Sequence, residues 1–259
     1  MKKTIQYSIS SLLILTSVMP FFAFAEEAIP ETTSIKTTPA TTIAIPQGNN
    51  FCAKIPAIGS KLGEQILNSE TKKRENEARL AVNTTKKEAD IDAKRASGRA
   101  DTDSKRIKTA DKLNTKAKTD TQKVAVTTYT KAINDSVTAR RTAIDAAVKI
   151  YRDGITALYT TKSTDTDINF TTFKSSIDGA IQKATADCAN KVASKTVSTT
   201  FNKSLKDARA AFTANNKLSV QNTQIKALKD TRDAAFKKAE ADFKQATDKA
   251  RADLIMAMK

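Results

Sequence analysis

Across residues 126–158, apolar or small side chains recur at Val126, Tyr129, Ile133, Val137, Ile144, Ala147, Val148, Tyr151, Ile155 and Leu158. Steps of three, four and one seven draw a single stripe down one face of a helix. Lys131, Asp135, Arg140, Arg141, Asp145 and Arg152 take most of the other positions and no Pro interrupts, so the pattern predicts a strong amphipathic helix to about Tyr159. Upstream the pattern thins. Pro56 and Gly59 mark an entry, a helical pattern opens near Ser60, and over residues 69–121 the large apolar residues are only Leu80, Val82, Ile91, Ile107 and Leu113. Such a stretch buries little on its own and reads as a lightly packed coiled-coil arm, weakest at Ser97 and Gly98 because Gly lowers helix stability.

Downstream, residues 160–167 (TTKSTDTD) predict a turn, with Asp165 or Asp167 capping the next helix. That helix carries Ile168, Phe170, Phe173, Ile177, Ile181 and Ala184 on one face and reaches Cys188, and the stripe from Val126 to Leu158 is expected to pack on its residues 168–184 as the core. Ser198, Thr199 and Thr200 are expected to cap a segment bearing Phe201, Leu205, Ala208 and Phe212, with a break at residues 215–219. In the last helix Phe236, Phe243 and Ala250 fall at heptad steps. The fold class is therefore all-α, an elongated antiparallel helical bundle or coiled-coil array of three to five helices. With aromatic residues at 5% and no Trp, Ala, Ile, Leu and Val must do most of the burying, which suits thin helix-on-helix packing.

The start of the chain changes the picture of where these helices work. Lys2 and Lys3, a mostly apolar run over residues 5–24 and the small-x-small triplet Ala23, Phe24, Ala25 predict a signal peptide over residues 1–25. Residues 26–50, rich in Thr with Pro30, Pro39 and Pro46, read as a disordered linker. A disulfide-closed helical region over residues 51–197 and a C-terminal helical region over residues 198–259 complete the expected organisation, with no transmembrane anchor after signal cleavage. The expected location is secreted, periplasmic or cell-envelope.

In such a compartment Cys52 and Cys188 are expected to pair with each other, with a linked dimer or free thiols as the alternatives. The pairing has a geometric consequence. One straight helix over residues 60–160 would be roughly 150 Å long at about 1.5 Å per residue, far beyond the Cα separation of roughly 4.4–6.8 Å that a disulfide allows. An intramolecular bridge thus requires the chain to fold back, with the bend expected between Ser97 and Thr121.

Charge and candidate chemistry narrow the function. The net charge is +16, or +14 once a leader carrying Lys2, Lys3 and no acid is removed. Acids interleave with the bases, so solvated faces laced with close pairs are expected first, and polyanion contacts second at the short clusters Lys72, Lys73, Arg74, Lys86, Lys87, Arg140 and Arg141. Without His there is no Ser-His-Asp triad and no His metal cluster, and with 6 Gly there is no phosphate-cradling loop. Asp165 to Asn169 mimics the start of a calcium loop but lacks the later Gly and the bidentate Glu. No catalytic residue, metal or cofactor is expected. For an exported protein an anionic envelope polymer or an acidic protein is a better partner than genomic DNA, and self-association through helix seams is open.

Residues 140–155 (RRTAIDAAVKIYRDGI) and 232–254 (RDAAFKKAEADFKQATDKARADL) share a flavour of Arg, Ala and aromatic residues at helical spacing. With the leader, a Cys soon after the linker and a second Cys in a later helix, they resemble secreted Ala/Lys/Arg-rich helical proteins of Parcubacteria-like bacteria. More loosely, the small basic chain with long helical arms resembles the Skp/OmpH periplasmic chaperones. The expected function is a non-enzymatic secreted or envelope helical binding or structural protein. The Skp-like resemblance implies the alternative, an oligomeric holdase for unfolded envelope proteins.

Overall fold

The computed structural model describes residues 50–215 and 219–259, apart from the side chains of residues 219–221. The expected signal peptide and nearly all of the linker lie outside the described residues. Four helices follow in order: α1 (Phe51–Lys116), α2 (Asp120–Ala189), α3 (Ser194–Asn215) and α4 (Ser219–Ala257). The described residues contain no strand and no helix long and apolar enough to cross a membrane. At about 1.5 Å per residue α1 is about 99 Å long and α2 about 105 Å.

The fold-back occurs at residues 117–119, inside the expected window and at its far end. Thr119 makes a capping box there. Its hydroxyl accepts from the Gln122 amide at 3.2 Å, while the Gln122 side chain accepts from the amides of Lys118 and Thr119 at 2.9 and 3.3 Å. These contacts satisfy backbone donors that a helix start leaves unpaired, so the corner forms where a cap exists. Ser97 and Gly98 stay inside α1. A Gly costs only about 1 kcal/mol relative to Ala, too little to break a helix held on both sides. Pro56, expected to precede the helix, also lies within α1. Burial of Phe51, Ile55 and Ile58 around it offsets the backbone bond that Pro cannot make.

The hairpin is closed at its other end by the Cys52–Cys188 disulfide, with Cα atoms 5.7 Å apart. Beside it lies the largest core. Phe51, Ile55, Ile58, Leu62 and Ile66 of α1 meet Phe170, Phe173 and Ile177 of α2 and Val197, Phe201, Leu205 and Phe212 of α3. Phe212 lies 4.9 Å from Phe170 and 5.2 Å from Phe173, ring centre to ring centre, and Phe51 lies 5.6 Å from Phe201. These are the edge-to-face and tilted arrangements that aromatic quadrupoles favour.

Three expectations are corrected here. Residues 160–167 are not a turn, since α2 runs through them unbroken. Their hydroxyls bond within the helix, Thr160 to the Thr156 carbonyl, Thr164 to that of Thr160 and Thr166 to that of Lys162, at 2.8–3.1 Å. Because α2 is continuous, the stripe over residues 126–158 cannot pack on residues 168–184 of the same helix. It packs on α4 instead: Val126 with Leu254, Ile133 and Val137 with Phe243 and Ala250, Ile144 and Val148 with Ala239. Ile168 faces solvent, and Thr166 holds the buried place one turn before Phe170. Finally, α3 begins at Ser194 rather than Ser198, which is buried in its interior. The reversal before it is a Schellman motif, in which the amides of Val192 and Lys191 bond the carbonyls of Asp187 and Cys188 and Lys191 adopts φ 60°.

Candidate functional site

Between the large core and the corner, α1 crosses α2 without a buried apolar residue: after Lys73 the next buried position is Leu113. A polar seam fills the gap. The Arg152 guanidinium donates to both Asp92 oxygens at 2.9 and 3.1 Å, Arg99 to both Asp145 oxygens at 2.8 and 2.7 Å, and Arg141 to both Asp103 oxygens at 3.0 and 2.6 Å. Arg106 adds a 2.7 Å bond to the Asn134 side chain. Along α1 the members are Asp92, Arg99 and Asp103; along α2, running the other way, they are Arg152, Asp145 and Arg141. The sign alternates on both helices at steps of seven and four, which keeps every member on the facing edge.

This environment holds three carboxyls below their usual range. Asp92 is lowered chiefly by its hydrogen bonds from Arg152, Asp103 by those from Arg141 and then Arg106, and Asp145 by those from Arg99. The same contact raises Arg99. Each carboxylate keeps a third or more of its surface in water, so the seam sets register more than it adds stability.

The expected contact residues divide into two groups. Lys73 is corrected from a surface contact to a buried residue. Its ammonium donates to Asp167 at 2.6 Å and to the Ser163 carbonyl at 3.3 Å, and lies 3.2 Å from Glu77. Asp167, expected as a cap, is occupied by this pair. Arg140 reaches Glu240 at 2.7 Å and lies over the Phe243 ring at 5.0 Å, and Arg141 belongs to the seam, so both tie helices together. Lys72, Arg74, Lys86 and Lys87 are exposed, without an ion pair to any described residue. On the helix Arg74 falls on a different side from Lys72, Lys86 and Lys87.

Lysines elsewhere behave differently. In α2, α3 and α4 a series of them reaches an Asp four residues on, at Lys131, Lys149, Lys183, Lys203, Lys226, Lys238, Lys244 and Lys249, with distances of 2.5–2.9 Å. On α1 the line Lys105, Lys108, Lys112 and Lys116, not singled out by sequence reasoning, is exposed and has no ion-pair partner among the described residues. The signal that finds it is a spacing of three, four and four residues with no Asp or Glu four residues after Lys105, Lys108 or Lys112.

A wide-mouthed depression of about 480 Å³, lined by Asn114, Thr127, Thr130, Lys131, Asn134 and Asp135, contains a Lys131–Asp135 pair closed on itself. The described residues also include no cluster of three or more Cys, Asp or Glu placed to hold a metal. No protein-family model matches the chain, and no curated protein or solved structure matches it either.

Proposed function

We propose that this is a non-enzymatic, secreted or cell-envelope helical protein that binds an anionic partner through the exposed basic surface of α1. One observation carries the reading. Eight lysines of α2, α3 and α4 are paired with aspartates one turn on, leaving Lys174, Lys195, Lys206 and Lys237 exposed and unpaired there among the described residues. On α1, by contrast, Lys73 alone of the lysines is paired, and Lys72, Lys86, Lys87, Lys105, Lys108, Lys112 and Lys116 keep uncompensated charge in water. Uncompensated surface cations attract polyanions, and the release of condensed counterions makes that binding salt-dependent. The leader and Thr/Pro linker of the sequence support an exported location, with α1 carried beyond a spacer.

The test is binding of the non-reduced protein lacking residues 1–25 to long-chain inorganic polyphosphate and to poly-glutamate across a salt series. Binding that weakens steeply with salt is expected. No binding to either polymer at low salt overturns the reading and leaves the net charge as a solubility feature.

A further inference from the structure

The basic surface of α1 is not uniform. Lys105, Lys108, Lys112 and Lys116 step by three, four and four residues, which places them in one line along about 16 Å of helix, about 4.5–6 Å apart along the axis. Asp101 interrupts the same face just before the line begins, and Asp111, three residues after Lys108 and about 60° around the helix from it, flanks the line without an ion pair to it. All four lysines are exposed and none has an ion-pair partner among the described residues. Favourable interaction with the helix C-terminus accounts for Lys116 in the last turn, but that effect falls off within a turn and does not reach Lys105 or Lys108.

The chemistry of the line differs from that of the seam on the same helix. Within the seam α1 meets the Asp145 carboxylate of α2 with Arg99, whose planar fork matches it with two bonds, while the buried Lys73–Asp167 contact lies outside the seam. The solvent-facing line is Lys throughout, a row of compact point charges that grips phosphate without demanding one orientation. A row of point charges in one line fits a linear chain of phosphates laid along the helix. Residues 52–116 contain no Phe, Tyr or Trp, so α1 offers no platform on which bases stack.

We infer that Lys105, Lys108, Lys112 and Lys116 form a track for a linear polyol-phosphate polymer of the cell envelope, bound through its phosphates parallel to α1. This rests on the reading that the basic surface of α1 binds an anionic partner. Polyphosphate and poly-glutamate test that reading; poly(glycerol phosphate) and an oligo-dT of equal phosphate number test the track. Two variants carry it: one with Lys105, Lys108, Lys112 and Lys116 changed to Gln, and a control losing the same charge with Lys72, Arg74, Lys86 and Lys87 changed to Gln. All eight side chains are exposed, so unchanged helicity by circular dichroism is expected for both.

The protein is expected to bind poly(glycerol phosphate) at least as tightly as oligo-dT. The track variant should bind it tenfold or more weakly at low salt, with the log–log salt slope smaller by about 3 for four phosphate contacts at about 0.7 each, while the control keeps most of the slope. Equal losses in the two variants overturn the track but leave the basic-surface reading standing. A tenfold preference for oligo-dT, or for poly-glutamate over poly(glycerol phosphate), overturns the partner class. Absence of binding to any polymer removes both readings together.

Discussion

Arg99 holds Asp145 across 46 residues of sequence with two parallel N–H to oxygen contacts of 2.8 and 2.7 Å. The pair lies between the ends of a hairpin, nearer the corner, and those ends are fixed by other means, the Cys52–Cys188 bridge at one and the capped corner with its Leu113 and Val126 cluster at the other. Its task is to keep α1 in register where no apolar side chain does so. Because both partners are partly solvated, their coupling in a double-mutant cycle of Arg99→Ala and Asp145→Ala should be about 0.5–1 kcal/mol by denaturant unfolding. The exchanged pair Arg99→Asp with Asp145→Arg should recover most of what either reversal loses. No recovery would mean that the neighbours Asp92, Asp103 and Arg95 fix the sign at each place.

The seam also sets a pH dependence. Asp92, Asp103 and Asp145 have folded pKa values held below the ordinary carboxylate range. The unfolded chain therefore takes up protons first as pH falls. Their contribution is fully present above the unfolded value of about 3.9 and is lost as pH drops through the lowered folded values. Amide exchange followed from pH 5 to pH 2 should lose protection in residues 80–110 before residues 55–66, which pack on the apolar core. Simultaneous loss in both segments would show that α1 opens as one unit.

Neighbouring cations on α1 should respond differently to the same change. Lys73→Glu places an acid beside Asp167 and Glu77 in a buried position and should cost about 3 kcal/mol or more. Lys72→Glu and Arg74→Glu, both in water, should stay within about 0.5 kcal/mol of the parent. Thermal unfolding of the three variants checks this. A mild effect at Lys73 would mean that its ammonium has another route to solvent.

Lys191 occupies the left-handed position of the turn between α2 and α3. A side chain there carries a steric cost that Gly avoids, so Lys191→Gly should stabilise the protein by about 0.5–1 kcal/mol despite the greater freedom of Gly in the unfolded chain. The midpoint of chemical denaturation should rise without a change in slope.

Most of the helical pattern is legible in the residues, and the exceptions have physical causes. The stripe from Val126 to Leu158 is buried or half-buried as its spacing predicts, because a period near 3.6 can be read without knowing the partner. The run over residues 160–167 misleads. Thr and Asp favour caps because their side chains compete for backbone groups, yet inside a helix the Thr hydroxyls bond the carbonyl four residues back and leave it intact. Lys73 is indistinguishable by type from Lys72, and only the approach of Asp167 from α2 separates them. The lysine line is hidden in the sequence for a related reason: its members are three and four residues apart, whereas adjacent cations such as Lys72, Lys73 and Arg74 point to different sides of a helix.

By itself, then, the sequence determined that this chain is helical, where its strongest apolar faces lie, and that an intramolecular Cys52–Cys188 bridge demands a fold-back. Those properties follow from local periodicity and chain length. The tertiary structure alone decided that α2 is one helix shared by two cores, that α4 rather than residues 168–184 covers the Val126 stripe, and which cations are consumed in holding helices together. A charge belongs to the interior or to the surface only once another helix has been laid against it, and no single-helix pattern carries that information.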